Sequence, residues 1–204
     1  GRIGATARQG IDQIGVCAAT VRDSAAVLQV IAGADAFDAT CAQQTVPKLI
    51  AACDRPLGGL VVGVPAEYFP PGLDDGVRAR CDEVLDRIRA AGATVRAISL
   101  PHTDYAIPAY YLIASSEASS NLARFDGVRY GKRASAETPL DVYVNTRSQG
   151  FGAEVKRRIM LGTFALSAGY VEAYYGRAQQ AQRCIAQDFE RVFAGGIDVV
   201  FTPT

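Results

Sequence analysis

Between Gly59 and Pro101 the chain reads strand, helix, strand with the punctuation of each element in place, and no other stretch restricts its fold so strongly. Leu60 to Val64 is a short apolar, β-branched run bounded by Gly59 and Pro65, the pattern of a strand buried on both faces. Asp74 or Asp75 caps a helix that reaches about Ala91. Its apolar positions Val77, Cys81, Val84, Leu85 and Ile88 recur at helical spacing, and Gly92 ends it. Thr94 to Leu100 is the next strand. That succession implies a parallel pair with a right-handed crossover, so the class is α/β.

The flanks extend the alternation. Thr20 is a good N-cap for a helix with Val21, Ala25, Leu28 and Ala32 on its apolar face, and Gly33 can end it. Residues 35 to 56 hold Pro47 and Pro56 and no sustained period, which reads as a loop with a short helical piece around Lys48 to Cys53. Ile107 to Ala123 reads as one buried helix, broken or started at Pro108, whose small residues Ala114, Ser115, Ser116, Ala118, Ser119 and Ser120 let another element approach closely. Residues 131 to 152 are polar and irregular, with a weak helix near Leu140 to Thr146, and read as a surface excursion. Two helices come next, Ala153 to Ser167 and Tyr170 to Phe193. The second is expected to turn Ala173, Tyr174, Ala181, Ile185, Phe189 and Phe193 inward. Asp198 to Phe201 is the last strand, and no convincing linker divides residues 1 to 204, which read as a single domain.

The residue order from Ser99 to Gly131, SLPHTDYAIPAYYLIASSEASSNLARFDGVRYG, and the run GFGAEVKRRIMLGTFALSAGY to Tyr170 are too particular for a generic fold. Together with GVPAEYF from Gly63, DQIG from Asp12 and the closing DVVFTPT they resemble the amidase signature family, and within it the A-type subunits of tRNA-dependent amidotransferases. The resemblance implies part of an amidase signature fold, a mixed central sheet flanked by helices. It also implies glutamine hydrolysis through an acyl-enzyme on a serine, with a lysine acting as base through a second serine. Those three residues belong, in the family, to a segment preceding this one, and Lys48, Lys132 and Lys156 lie in no such context. The chain is therefore expected to be an interior piece with no catalytic residue of its own. Val16, Cys17 and Ala18 depart from the family's continuation of DQIG, and Gly1 to Ile11 match it poorly.

The implied partners are B- and C-type amidotransferase subunits and glutamine, with charged tRNA reached only through the complex. ATP and magnesium belong to the B-type partner, and no cofactor is implied for this chain. Composition agrees: 21 Lys and Arg balance 21 Asp and Glu, so nothing attracts nucleic acid or an anionic membrane globally. Five scattered cysteines without a CxxC pair suggest neither a zinc site nor a disulfide framework and fit a reducing cytoplasm. No uninterrupted apolar run reaches membrane length. Two other readings stand beside this one: a stand-alone amidase acting on a small acyl amide, and a catalytically empty scaffold module.

Three residues are candidates for substrate binding. An arginine on a helix that is becoming buried is expensive unless it is paired or bound to an anion. The family's arginine in the matching KRRIMLG context holds the carboxylate of bound glutamine through a fork of hydrogen bonds, a role the resemblance assigns to Arg158, beside Ile159, while Lys156 and Arg157 face water. The alternative for Arg158 is a structural tie to a carboxylate or a loop carbonyl. The resemblance also places a tyrosine of this segment in the glutamine pocket. The sequence leaves open whether Tyr110 or Tyr111 points inward, and at least one of them reads as a core residue with its hydroxyl at the surface. Glu117 and Asn121, one helical turn apart, either brace the pocket or bond a neighbouring loop. Arg124, Asp126 and Arg129 read as an ion-pair network anchoring the turn at Gly127, with a subunit contact as the sharper alternative. His102, the sole histidine, has no GxSxG-type nucleophile to serve and reads as structural.

Overall fold

Every strand pairing in the structure, a computed structural model describing residues 15–37 and 41–204, is parallel and runs through the strand that begins at Val61. Strand β1 (Val61–Pro65) pairs with β2 (Thr94–Ile98) from Val61 opposite Thr94 to Pro65 opposite Ile98, and with β3 (Val199–Val200) on its other side. The order β2-β1-β3 puts β1 in the centre, as its two-sided apolar pattern requires. The Asp198 carboxylate accepts the Val61 amide at 2.8 Å and so caps one end of the ladder.

Two compact units emerge, one up to Gly58 and one from Gly59. In the first, helix α1 (Val21–Ile31) is capped by Thr20, whose hydroxyl accepts the Asp23 amide at 3.1 Å. Ala25, Leu28 and Ala32 are half-buried as expected, whereas Val21 stays exposed in the first turn. Helix α2 (Leu49–Ala52) is tied to α1 by an Arg22–Asp54 ion pair and by the Ile50 amide donating to Gln29. The motif DQIG falls mostly, and Gly1 to Ile11 wholly, outside the described residues.

In the second unit, helix α3 (Asp75–Ala90) joins β1 to β2. Asp74 caps it by accepting the amides of Gly76 and Val77, and Cys81 and Leu85 are its buried positions. Helix α4 (Ala106–Leu122) carries Pro108 in its first turn, where a missing N–H does no harm. Residues 131 to 152 depart from expectation. Rather than a surface excursion they form a full helix, α5 (Pro139–Gly150), with Thr138 as N-cap and Pro139 at its first position. Its Thr146 is buried, accepts the Ala134 amide at 3.0 Å, and lies so near Gly127 (φ +79°) that a Cβ there would come within 2.5 Å of its hydroxyl. Arg147, half-buried, donates to the carbonyls of Leu122 and Phe125, with its guanidinium about 5 Å from the rings of Tyr143 and Phe151.

Helix α6 (Ala153–Ala165) leads to a π turn at Glu172–Gly176, and then to α7 (Arg177–Ala194). Ala181 and Phe189 of α7 pack inward and Ile185 is half-buried, as expected, whereas Ala173 and Tyr174 in the π turn and Phe193 at the end of α7 are exposed; Ala178, Asp188 and Val192 are the fully buried positions. Val192 packs with Leu100 and Ile197 under the sheet, and Ala178 packs with Ala109 and Ile113 of α4. Among the described residues no helix is long and apolar enough to cross a membrane.

Candidate functional site

The small-residue face of α4 lets α6 approach to backbone contact. A Cβ on Gly162 would sit 2.0 Å from the Ser115 carbonyl oxygen and 2.8 Å from the Ser119 Cβ, so only glycine fits. One turn further, the hydroxyls of Ser119 and Thr163 share a hydrogen bond at 2.9 Å. With the two helices locked at this point, the residues one to two turns toward their N-termini are brought together. On α4 these are Tyr110 and Tyr111, and on α6 they are Arg157 and Arg158.

Arg157 and Tyr111 line one groove, and Arg158 lies close enough to Tyr110 for the tyrosine to favour its charged form. The two rings meet edge to face at 5.5 Å between centroids. Tyr110 and Tyr111 are 46% and 55% exposed, so neither is a buried core residue. Glu154, in the first turn of α6, binds both guanidiniums. Its Oε1 accepts from Arg157 Nη2 and Arg158 Nε, and its Oε2 accepts from Arg157 Nε, each at 2.8 Å. The hydrogen bonds from Arg157 and Arg158, in that order, bring the Glu154 carboxyl down to about 2 and raise both arginines. The side chain of Arg158 is 38% exposed and that of Arg157 61%. Arg158 is thus the less exposed of the two, but Arg157 does not simply face water. It borders a groove of about 470 Å³ with Tyr111, Ser115, Leu161, Phe164 and Tyr174, while Arg158 and Tyr110 lie outside that lining. Phe164, Tyr170 and Tyr174 form a ring cluster along the groove's edge, with centroids 4.7 to 6.0 Å apart.

The other candidates sort into structural roles. Glu117 accepts from the Tyr175 hydroxyl at 3.3 Å and from Asn121 at 3.4 Å, joining α4 to the π turn. Burial first, and then the Glu117 charge, push the Tyr175 hydroxyl up. Asp126 accepts the amides of Val128 and Arg129 and the Arg129 guanidinium, which hold its carboxyl far below the usual range and fix the turn at Gly127. Arg124 does not join that network, because it donates to the backbone and side chain of Asn121. His102 is structural. Its ring Nδ1 lies 3.0 Å from Asp188, its amide donates to the same carboxylate at 2.9 Å, and Arg191 pairs with it from the other side. Asp188, 1% exposed, escaped sequence reasoning, as did Glu154, although a glutamate three and four residues before two arginines is a helix-pairing signal. Among the described residues no cluster of His, Cys, Asp and Glu could hold a metal ion, and the cysteines are free.

Known proteins resemble this chain in sequence and in fold. The amidase family model matches residues 2–204. The A-type subunit of glutamyl-tRNA(Gln) amidotransferase from Acidobacterium capsulatum is 56% identical over 195 residues, 95% of this chain and 41% of that protein. The protein of the same name from Roseiflexus sp. strain RS-1 is 55% identical, across 95% of this chain and 40% of its own length. The chain thus spans about two fifths of the curated relatives it matches. The crystal structure of the A-type subunit of glutamyl-tRNA(Gln) amidotransferase from Thermotoga maritima superposes with a TM-score of 0.62 at 32% identity, over 91% of this chain and 36% of that one. A bacterial aryl acylamidase of the amidase signature family superposes equally well, TM-score 0.62 with the same coverage, at 15% identity, a likeness of fold alone.

Proposed function

The chain belongs to the amidase family, and from that premise we propose that it forms part of the glutamine-hydrolysing A-type subunit of a tRNA-dependent amidotransferase. The observation that carries this reading is the placing of Arg157 and Tyr111 on one groove at the α4–α6 junction, with Arg158 tied to Arg157 through Glu154, in a chain so similar to proteins of that name. A planar guanidinium presents paired donors to a carboxylate, and a tyrosine hydroxyl beside it fixes its orientation. Arg158 is the proposed anchor of the glutamine α-carboxylate, with Tyr110 and Tyr111 shaping the mouth around it. A second reading gives Arg157 that role, favoured by its place on the groove lining.

In this account glutamine is cleaved through an acyl-enzyme. A serine oxygen attacks the side-chain amide carbon, ammonia leaves, and water releases glutamate. No residue of this chain is assigned the nucleophile or the base, and residues 1–204 serve as part of one amidase-type domain that binds and orients substrate. The ammonia passes to a B-type partner that uses ATP and magnesium to amidate Glu-tRNA(Gln) or Asp-tRNA(Asn), with a C-type subunit completing a cytoplasmic complex. The relatives' names favour this account over a stand-alone amidase of small acyl amides or an empty scaffold.

The test is glutamine hydrolysis by the complete gene product purified with its B- and C-type partners. Glutaminase activity that loses glutamine affinity on Arg158→Ala supports the reading. Loss on Arg157→Ala instead moves the anchor by one residue. Cleavage of other amides with indifference to glutamine overturns it.

A further inference from the structure

Resting on the reading of a guanidinium as the carboxylate anchor, we propose that Glu154 is the positioning residue of that anchor, holding Arg157 and Arg158 in the orientation that receives an α-carboxylate. Three hydrogen bonds of 2.8 Å converge on this one side chain, and its Oε1 is shared between the two guanidiniums. Adjacent arginines repel each other, and the field of Arg158 indeed opposes the charge on Arg157. Without a carboxylate between them they would splay into solvent, because neither is buried enough to be held by packing.

Glu154 also selects which edge of each fork is offered. It occupies Nε of Arg158 and both Nε and Nη2 of Arg157, so the outer edges of both forks are directed away from it. The arrangement works for whichever arginine binds the ligand, because Glu154 holds both. Its carboxyl stays ionised at any pH suited to assay, so the restraint is constant.

The sign of the effect separates positioning from bulk charge. Glu154 adds a negative charge beside a site proposed for an anion. If charge alone mattered, Glu154→Gln would strengthen glutamine binding; if positioning matters, it weakens it. The experiment measures KM and kcat for L-glutamine on the complete gene product with its partner subunits, for Glu154→Gln, Glu154→Asp, Arg157→Ala and Arg158→Ala. The expected result is a KM about tenfold higher for Glu154→Gln with kcat within about twofold, the loss of one well-oriented charged hydrogen bond used equally in ground and transition states. Glu154→Asp, which keeps the charge on a shorter arm, should fall between wild type and Gln. An unchanged or lowered KM for both Glu154 variants, with an arginine variant still raising it, overturns the positioning role and leaves the anchor standing. If neither arginine variant alters KM, the anchor itself falls and this inference with it.

Discussion

Replacing Gly162 by alanine puts two well-measured effects in opposition, and the structure decides between them. Alanine favours a helix over glycine by about 1 kcal/mol, so propensity alone predicts a more stable protein. The new methyl, however, would lie 2.0 Å from the Ser115 carbonyl oxygen and 2.5 Å from its carbon. An ordinary carbon–oxygen contact is about 3.3 Å, which leaves a shortfall of about 1.3 Å. The obstacle is helix backbone and cannot rotate away, so relief requires α4 and α6 to separate. Overpacking of this kind costs about 1–3 kcal/mol, and the upper end applies here. Subtracting the propensity gain leaves a net loss of about 2 kcal/mol. For a unit of about 150 residues that lowers Tm by about 4–8 °C. Far-UV circular dichroism melts of the purified protein test it, with Gly150→Ala as control because a Cβ there meets nothing within 4 Å. A Tm for Gly162→Ala at or above wild type would refute the close approach on which the site is built.

Two further outcomes rest on buried or shared polar groups. Burial pushes the Asp188 carboxyl up, but the His102 amide and ring, with the charges of His102 and Arg191, outweigh it and bring it below its ordinary value. The unfolded chain therefore binds the proton more readily, so this stabilisation is present above the ordinary carboxylate range and fades as pH falls through the lower folded value. Asp188→Asn is expected to lose about 1–3 kcal/mol at neutral pH, with the difference from wild type shrinking in acid, as urea melts at pH 7 and pH 3 will show. Arg147→Ala removes both carbonyl bonds that fasten α5 to the end of α4, and with them its stacking on Tyr143 and Phe151 of its own segment, at about 1–3 kcal/mol, while Arg147→Lys recovers little because a point charge cannot serve two carbonyls and two faces; thermal melts of the pair decide it.

What the sequence discloses here depends on how local the cause is. Thr20 and Asp74 cap their helices because an N-cap bond spans three residues, and β1 is legible from its short apolar run, with β2 following the helix that Gly92 ends. The close-packing face of α4 is visible as a cluster of small residues, although its complement, Gly162, is identified only by the structure. Helix α5 is obscured by its polar composition, yet Thr138–Pro139 is a start signal of the usual kind, and it is Thr146 and Arg147 reaching other segments that hold the helix in place. On α7 the inward phase at Ala181, Ile185 and Phe189 is legible in the sequence, whereas Ala173 and Tyr174, which fall in the π turn, and Phe193 at the helix end are exposed. Asp188 takes its meaning from His102, 86 positions away, and no local pattern reports that. At the candidate site, the residues themselves are legible, whereas the placing of Arg157 and Tyr111 on one groove depends on the phase at which α4 and α6 meet.

The most direct test of the central claim is the discrimination between L-glutamine and its α-carboxamide, measured as the ratio of kcat/KM values for the complete gene product with its partners, in wild type and in the Arg157→Ala and Arg158→Ala variants. A guanidinium that grips the α-carboxylate gives wild type a preference of about 10- to 100-fold for glutamine, and that preference collapses toward unity in one arginine variant. A preference that survives undiminished in both variants would contradict the account, because the carboxylate would then be recognised somewhere other than at the α4–α6 junction.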